Sequence, residues 1–250
     1  SGFTSGIDAI GNAHKLIQKG KANVIIAGGF EQISFDLYMI FLMRKMLAGS
    51  NGTDKEISMP FDKRRNGFIM SEGSYVFIME NLEFALSRGA RIYGEISGFA
   101  TIFAGNKMYH TGKRIEKAKV AMQKCLDDAN LSIHDVDLIN ANGNSGDVSD
   151  LIEAKAIGEL FETGDKEIPV YAVKSVVGEC YGASGAMQTA AAVLSIHNSL
   201  VPPTINYEEK DPECDVNITK EKQVRDINTA LVNSFDLSGN NSCLVLKKYE

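Results

Sequence analysis

The stretch Ser1-Gly2-Phe3-Thr4-Ser5-Gly6-Ile7 opens straight into Ile7 to Gln18, where Ile7, Ile10, Ala13, Leu16 and Ile17 fall on one helix face. A small-residue turn feeding a helix N-terminus is a reactive place. The unpaired N–H groups and positive dipole end stabilise an anion, so a cysteine there would be partly thiolate. Phe3 occupies the position, and a phenyl ring cannot attack a carbonyl. The segment reads as a nucleophile turn without its nucleophile. There is no starting Met, and the sequence reads as beginning inside a folded unit.

Downstream, strand and helix patterns alternate. Asn23 to Ala27 is an apolar run ending in Gly28-Gly29, as in a strand buried on both faces. Phe35 to Ala48 predicts a helix stopped by Gly49, and Gly49 to Asp62 a loop closed by Pro60. Tyr75 to Met79 and Ile92 to Gly98 predict strands, with a short helix between them over Asn81 to Arg88. A long helix is expected from Gly112 to Ala129, with Ile115, Ala118, Met122, Cys125 and Ala129 on one face. Val136 to Ala141 and Val170 to Val173 predict strands; between them Asp147 can cap a helix through Phe161, with Asp150 adding negative charge near its start. Gly182 to Asn198, rich in Gly, Ala and Ser, predicts a central helix able to approach its neighbours closely. Ala230 to Phe235 and Ser242 to Lys247 predict paired strands around the turn Asp236 to Asn241. Alternating elements without a linker argue for α/β layers.

Composition narrows the function. Of 250 residues, 44% are apolar and 23% charged, which is ordinary for a soluble globular protein, and a net charge of −6 does not favour a nucleic-acid partner. Cys125, Cys180, Cys214 and Cys243 are scattered with no CxxC pair, so neither a zinc site nor a disulfide framework is expected, and a reducing cytoplasm is. His14, His110, His134 and His197 show no ligand spacing. Neither metal nor cofactor is expected. No apolar stretch suits a membrane span, and the N-terminus is not a signal peptide.

Five segments, taken in order, resemble the β-ketoacyl synthases, the condensing enzymes of fatty-acid and polyketide assembly. The opening turn is similar to their T-A-C-x-S-G motif. Pro60-Phe61-Asp62-Lys63-Arg64-Arg65-Asn66-Gly67-Phe68 followed by Ser71-Glu72-Gly73 resembles P-F-D-x-x-R-x-G-F and G-E-G. Asp137 to Ser145 resembles D-Y-I-N-A-H-G-T-S, Lys174 to Glu179 resembles K-S-x-x-G-H, and Asn233 to Asn241 resembles N-S-F-G-F-G-G-x-N. The resemblance implies a thiolase-like αβαβα layered fold, with residues 1–91 ending the first half and residues 92–250 forming the second.

The resemblance also implies what has been lost. The family's cysteine takes the acyl chain, and two histidines help decarboxylate a malonyl unit and stabilise its enolate. These positions are Phe3, Asn142 and Glu179 here. Asn142 cannot shuttle a proton near neutral pH, and an ionised Glu179 has the wrong sign beside developing negative charge. Asp236, Leu237 and Ser238, ahead of Gly239, replace G-F-G at the oxyanion and gating segment, whereas Lys174, Asp62, Arg65 and Glu72 are retained. Losing the whole set while keeping the scaffold resembles the chain-length factors of type II polyketide synthases, which pair with an active ketosynthase α-subunit and help shape its tunnel. Most such factors carry Gln at the cysteine position, and Phe3 departs from that. Partners expected from the resemblance are that α-subunit, an acyl carrier protein and the missing N-terminal portion, with no nucleic acid or membrane.

Plainer readings stand beside these. Phe3 can plug an apolar hole, Asn142 can be a satisfied buried amide, and Glu179 can pair with Lys174 in a structural salt bridge. Lys63-Arg64-Arg65 is a solvated turn plus the family arginine, or a basic patch for an acidic carrier protein. Two enzymatic rivals remain: a divergent active β-ketoacyl-acyl-carrier-protein synthase using Cys180 or another group, and an N-terminal-nucleophile hydrolase using Ser1. Strands buried on both faces need neighbours, so with roughly the first two-fifths of the family domain absent the chain should expose a large apolar face. Self-cleavage by Ser1 hydroxyl attack on the preceding carbonyl, protease action and separately encoded pieces each account for such a start.

Overall fold

The computed structural model describes residues 2–50, 52, 56–105, 111–161 and 167–249. A 3-10 turn over Gly2–Thr4 runs directly into helix α1 (Ser5–Gln18), followed by strand β1 (Val24–Glu31), α2 (Phe35–Met43), β2 (Gly73–Glu80) and α3 (Leu82–Ser87). The remainder comprises β3 (Glu95–Phe103), α4 (Thr111–Asp128), β4 (Leu138–Asn140), α5 (Asp147–Phe161), β5 (Val170–Tyr171), α6 (Lys174–Val177), α7 (Ser184–Asn198), β6 (Leu200–Val201), β7 (Gln223–Val224), β8 (Thr229–Phe235) and β9 (Asn240–Lys247).

Five strands form one mixed sheet in the order β3-β9-β8-β4-β5. The β4–β5 and β4–β8 pairings are parallel; β8–β9 and β3–β9 are antiparallel. All seven residues of β8 are buried. One face packs on α4 and α5 through Met122, Cys125, Leu126, Ile157 and Leu231. The other packs on α1 and α7 through Ile7, Ile10, Ala186, Ile196 and Val232. α1 and α7 cross closely because Gly185 carries no side chain: a Cβ there would lie 2.7 Å from Ile7. Beyond α1 and α7 lies the antiparallel pair β1–β2, whose inward residues Ala27, Tyr75, Phe77 and Met79 join the same core. Helices, five-stranded sheet, helices and strand pair thus stack as consecutive layers, giving a thiolase-like α/β fold.

Among the described residues, nothing covers the outward face of β1–β2. Val24 (42% exposed), Ile26 (71%), Phe30 (78%), Val76 (63%) and Ile78 (69%) all lie there. This corrects the expectation that the strand after α1 is buried on both faces, and it is the apolar surface anticipated for the chain taken alone.

Other differences have local causes. β1 continues through Gly28-Gly29 to Glu31, since a Cβ on Gly29 would sit 2.9 Å from the Gly182 carbonyl oxygen. α2 stops at Met43, five residues before the predicted end, where the left-handed Lys45 (φ 55) lets Lys45 N–H and Met46 N–H close back on the Leu42 and Phe41 carbonyls. β3 starts and ends later than predicted, because Gly98 marks a bulge against α4 rather than a stop. β5 ends at Tyr171, before the short α6 that the sequence did not announce. Among the described residues no helix is long and apolar enough to cross a membrane, and no group of three or more His, Cys, Asp or Glu is placed to hold a metal ion. His110 lies outside the described residues.

Candidate functional site

The segments singled out in the sequence converge on the C-terminal end of β8. Ser234 donates its hydroxyl to the Phe3 carbonyl at 3.1 Å, and the Phe3 N–H donates to Asp236 Oδ2 at 2.8 Å. Phe235 N–H donates to Asn142 Oδ1 at 3.2 Å. The head of α1, the loop after β4 and the strand end are thereby fixed to one another.

Phe3 is 2% exposed. Its ring lies 4.8 Å from that of Tyr181 and 6.0 Å from each of Phe41 and Phe68, with Leu37, Met70 and Leu237 packed around the cluster. Tilted and edge-on contacts of this kind add about 0.5–1.5 kcal/mol per pair beyond burial. The ring fills an apolar space, and Leu237 closes the same cluster.

Asn142 Oδ1 also accepts from Lys174 Nζ at 2.9 Å, so the amide oxygen has two donors. Lys174 and Glu179 are both buried, and Nζ lies 2.9 Å from Glu179 Oε2 as an ion-pair contact. Glu179 Oε1 takes the Tyr181 N–H at 3.1 Å and the Ser184 hydroxyl. Lys174 thus bridges the two positions where the resemblance implies histidines, and its charge is consumed by a carboxylate.

Two carboxylates behind these groups were not foreseen in their role. Glu153, fully buried on α5, accepts the N–H groups of Asn142 and Gly143 at 2.8 Å and the Asn233 amide at 3.1 Å. Burial pushes its pKa up to about 7, against the pull of those donors. Asp150, expected to add negative charge near a helix start, is also fully buried. It accepts from Phe61, Asn144 and Ser145 N–H, and burial raises its pKa to about 6. The available signal was the three-residue spacing of Asp147, Asp150 and Glu153, which sets acids along one side of the first turns of α5.

The retained family positions are structural in their contacts. Burial opposes ionisation of Asp62, but the Arg64 side chain and the N–H groups of Arg64, Glu209 and Glu208 outweigh it and hold the carboxyl at about 2. Arg65 reaches Asp211 at 2.6 Å and the carbonyls of Asp62 and Asp147. Arg64 also pairs with Glu208 at 2.9 Å, so the Lys63-Arg64-Arg65 turn is largely neutralised by acids. Glu72 is exposed and accepts the Ile33 N–H at 3.2 Å. Gly239 N–H donates to the Asp236 carbonyl and closes the turn after β8. Cys180 is fully buried beside Ser71 and Met187, and burial raises its thiol pKa. Ser1 lies outside the described residues.

The layers, with a buried polar cluster at this strand end, are thiolase-like. Residues 2–85 match the β-ketoacyl synthase N-terminal domain and residues 93–208 the β-ketoacyl synthase C-terminal domain, together most of the chain. The chain belongs to the β-ketoacyl synthase family. It is 37% identical over 247 residues to a 3-oxoacyl-acyl-carrier-protein synthase 2 of Staphylococcus aureus (strain COL), covering 98% of this chain and 60% of that protein. Its counterpart in Synechocystis is 38% identical over 251 residues, with the same coverage. The chain therefore spans about 60% of the length of these relatives. Among solved structures, AntDE:AntF, described as a type II PKS acyl-carrier protein in complex with its ketosynthase bound to the hexaketide, superposes with TM-score 0.92 at 31% identity, covering all of this chain and 62% of that one. The ishigamide ketosynthase/chain length factor superposes with TM-score 0.87 at 29% identity, covering all of this chain and 60% of that one.

Proposed function

We propose that the chain is the non-condensing member of a ketosynthase pair, a chain-length-factor-like subunit of a type II polyketide synthase that shapes the tunnel of an active α-subunit. One observation carries this reading. Phe3, at the nucleophile position, buries an unreactive ring among Phe41, Phe68 and Tyr181. Asn142 and Glu179 support it, because neither offers an imidazole and the Glu179 charge is spent on Lys174. On this reading residues 1–91 end the first half of the domain and residues 92–250 form the second.

Its partners are the α-subunit and an acyl carrier protein delivering malonyl and polyketide chains. A third is polypeptide covering the open face of β1–β2. The support for it is internal. In the second half, the antiparallel pair β8–β9 is flanked by β4 on one edge and β3 on the other, and is buried. Among the described residues, the equivalent pair β1–β2 has neither flanking strand. The proposed cover supplies both, within one longer polypeptide or from another.

The experiment is co-purification with neighbouring gene products, followed by incubation with labelled malonyl carrier protein and product analysis. Condensation is expected only when a cysteine-bearing partner is present, with chain length changing when this subunit is swapped. Acyl transfer to this chain alone would sink the proposal. The similarity to 3-oxoacyl synthases favours a second reading, a divergent condensing enzyme. It would need a thiol such as Cys180, whose burial works against thiolate formation.

A further inference from the structure

We infer that Asp236 is an internal oxygen ligand that closes the amide pocket at the head of α1, and that it bars acyl transfer separately from the loss of the thiol. The inference deepens the non-condensing reading above and rests on it.

The Phe3 N–H, in the turn that leads into α1, meets Asp236 Oδ2 at 2.8 Å. Asp236 Oδ1 takes the N–H and the hydroxyl of Ser238. The residue is 5% exposed. Its Oδ2 fills the corner beside Gly2: a Cβ built on Gly2 would lie 2.1 Å from that oxygen and 3.6 Å from the Tyr181 hydroxyl. Arg114, on α4, donates to the Asp236 carbonyl at 3.3 Å. Three donors therefore hold this carboxylate in place. Two come from its own turn and the third from the helix head.

The chemistry makes this position costly for a reaction. In acyl transfer, a thiolate at position 3 would attack the carbonyl carbon of a thioester, forming a C–S bond while the carbonyl π pair moves onto oxygen. Collapse of the tetrahedral intermediate breaks the carrier's C–S bond, and the carrier thiolate leaves and is protonated by water. The developing oxyanion needs a preorganised N–H donor in a water-excluded site. The helix-head amide is such a donor, and a carboxyl oxygen of Asp236 already occupies it. An incoming carbonyl oxygen finds the donor taken and an electron-rich oxygen in its place.

The test compares Phe3→Cys with Phe3→Cys/Asp236→Gly, on the chain purified with whatever companion it carries. Acetylation by the acetyl thioester of N-acetylcysteamine is followed by intact mass. Alkylation by iodoacetamide, which builds no oxyanion, is measured in parallel. The ratio of acetylation to alkylation rates should rise about 10²–10³-fold in the double variant, the worth of one oxyanion donor. Equal ratios would overturn the inference. Where the glycine variant fails to fold, Asp236→Ala replaces it in the same comparison. A second measurement needs no thiol: amide hydrogen exchange at Phe3 should quicken about tenfold or more in Asp236→Ala, and unchanged exchange would also overturn the inference. Condensation by the wild-type chain alone would sink the non-condensing reading while leaving the rate ratio meaningful, so the two failures are distinguishable.

Discussion

Lys174→Met removes the cation that joins Asn142 to Glu179. Lys174 is 0% and Glu179 1% exposed, and they lie 2.9 Å apart. Breaking a buried pair by deleting one member costs about 3–5 kcal/mol, because the survivor is left as an uncompensated charge. Glu179 keeps the Tyr181 N–H and the Ser184 hydroxyl, which places the loss near the lower end, about 3 kcal/mol. For a chain of this size that is a fall in Tm of roughly 6–12 °C. Adding Glu179→Gln removes the stranded charge and should return at least half of the loss. Urea unfolding followed by circular dichroism, on wild type, both single variants and the double, gives the coupling. A value near 2 kcal/mol is expected for residues in direct contact. A Lys174→Met cost under about 1 kcal/mol, or strict additivity of the two changes, would refute the argument that this pair holds the site together.

Five further outcomes are expected. Phe3→Ala should cost about 3–5 kcal/mol by emptying the aromatic cluster, read as a lower urea midpoint; Phe3→Cys alone should leave condensation undetectable, because Asn142 and Glu179 remain. Burial raises Glu153 to about 7 and Asp150 to about 6, so the folded state binds more protons than the unfolded one between about pH 4 and 7. Their contribution is therefore fullest at the acid end of that window and is lost as pH rises through it; Glu153→Gln should flatten the slope, and an unchanged slope would contradict the assignment. Asp62 has the opposite sign: held at about 2, it stabilises above its unfolded value, and that part is lost as pH falls from about 4 to 2, a loss that should vanish in Asp62→Asn. Gly185→Val should push α1 from α7 and cost about 1–3 kcal/mol or more, measured by thermal melting.

Much of this architecture was legible because apolar period and punctuation agree. α1, α3, α4 and the β8–β9 pair carry their helical or alternating patterns to ends marked by Asn, Gly or Lys, and they form within a few residues of expectation. Glycine misled where close approach, rather than a turn, required it. Gly29 and Gly98 lie inside strands because helix or loop backbone passes within 2.9 Å or less of where a Cβ would be. The retreat of α2 at Lys45 was illegible, since nothing in an apolar run shows where the chain must bend back to the core. At the site, the altered residues could be named from motif positions, and the Lys174–Glu179 pairing from charge. The Phe3 amide meeting Asp236 spans 233 positions, a juxtaposition only the fold can make. Asp150 was legible only as negative charge near a helix start, and Glu153 not at all, because pattern gives no account of where backbone donors need a carboxylate.

The bare margins of β1 and β2 carry a practical consequence. Among the described residues no third strand pairs with either, and Ile26, Phe30, Val76 and Ile78 are exposed beside them, the arrangement that recruits foreign strands. Overproduced on its own, this polypeptide should collect in inclusion bodies, and co-expression of the proposed covering polypeptide should raise the yield of dispersed material.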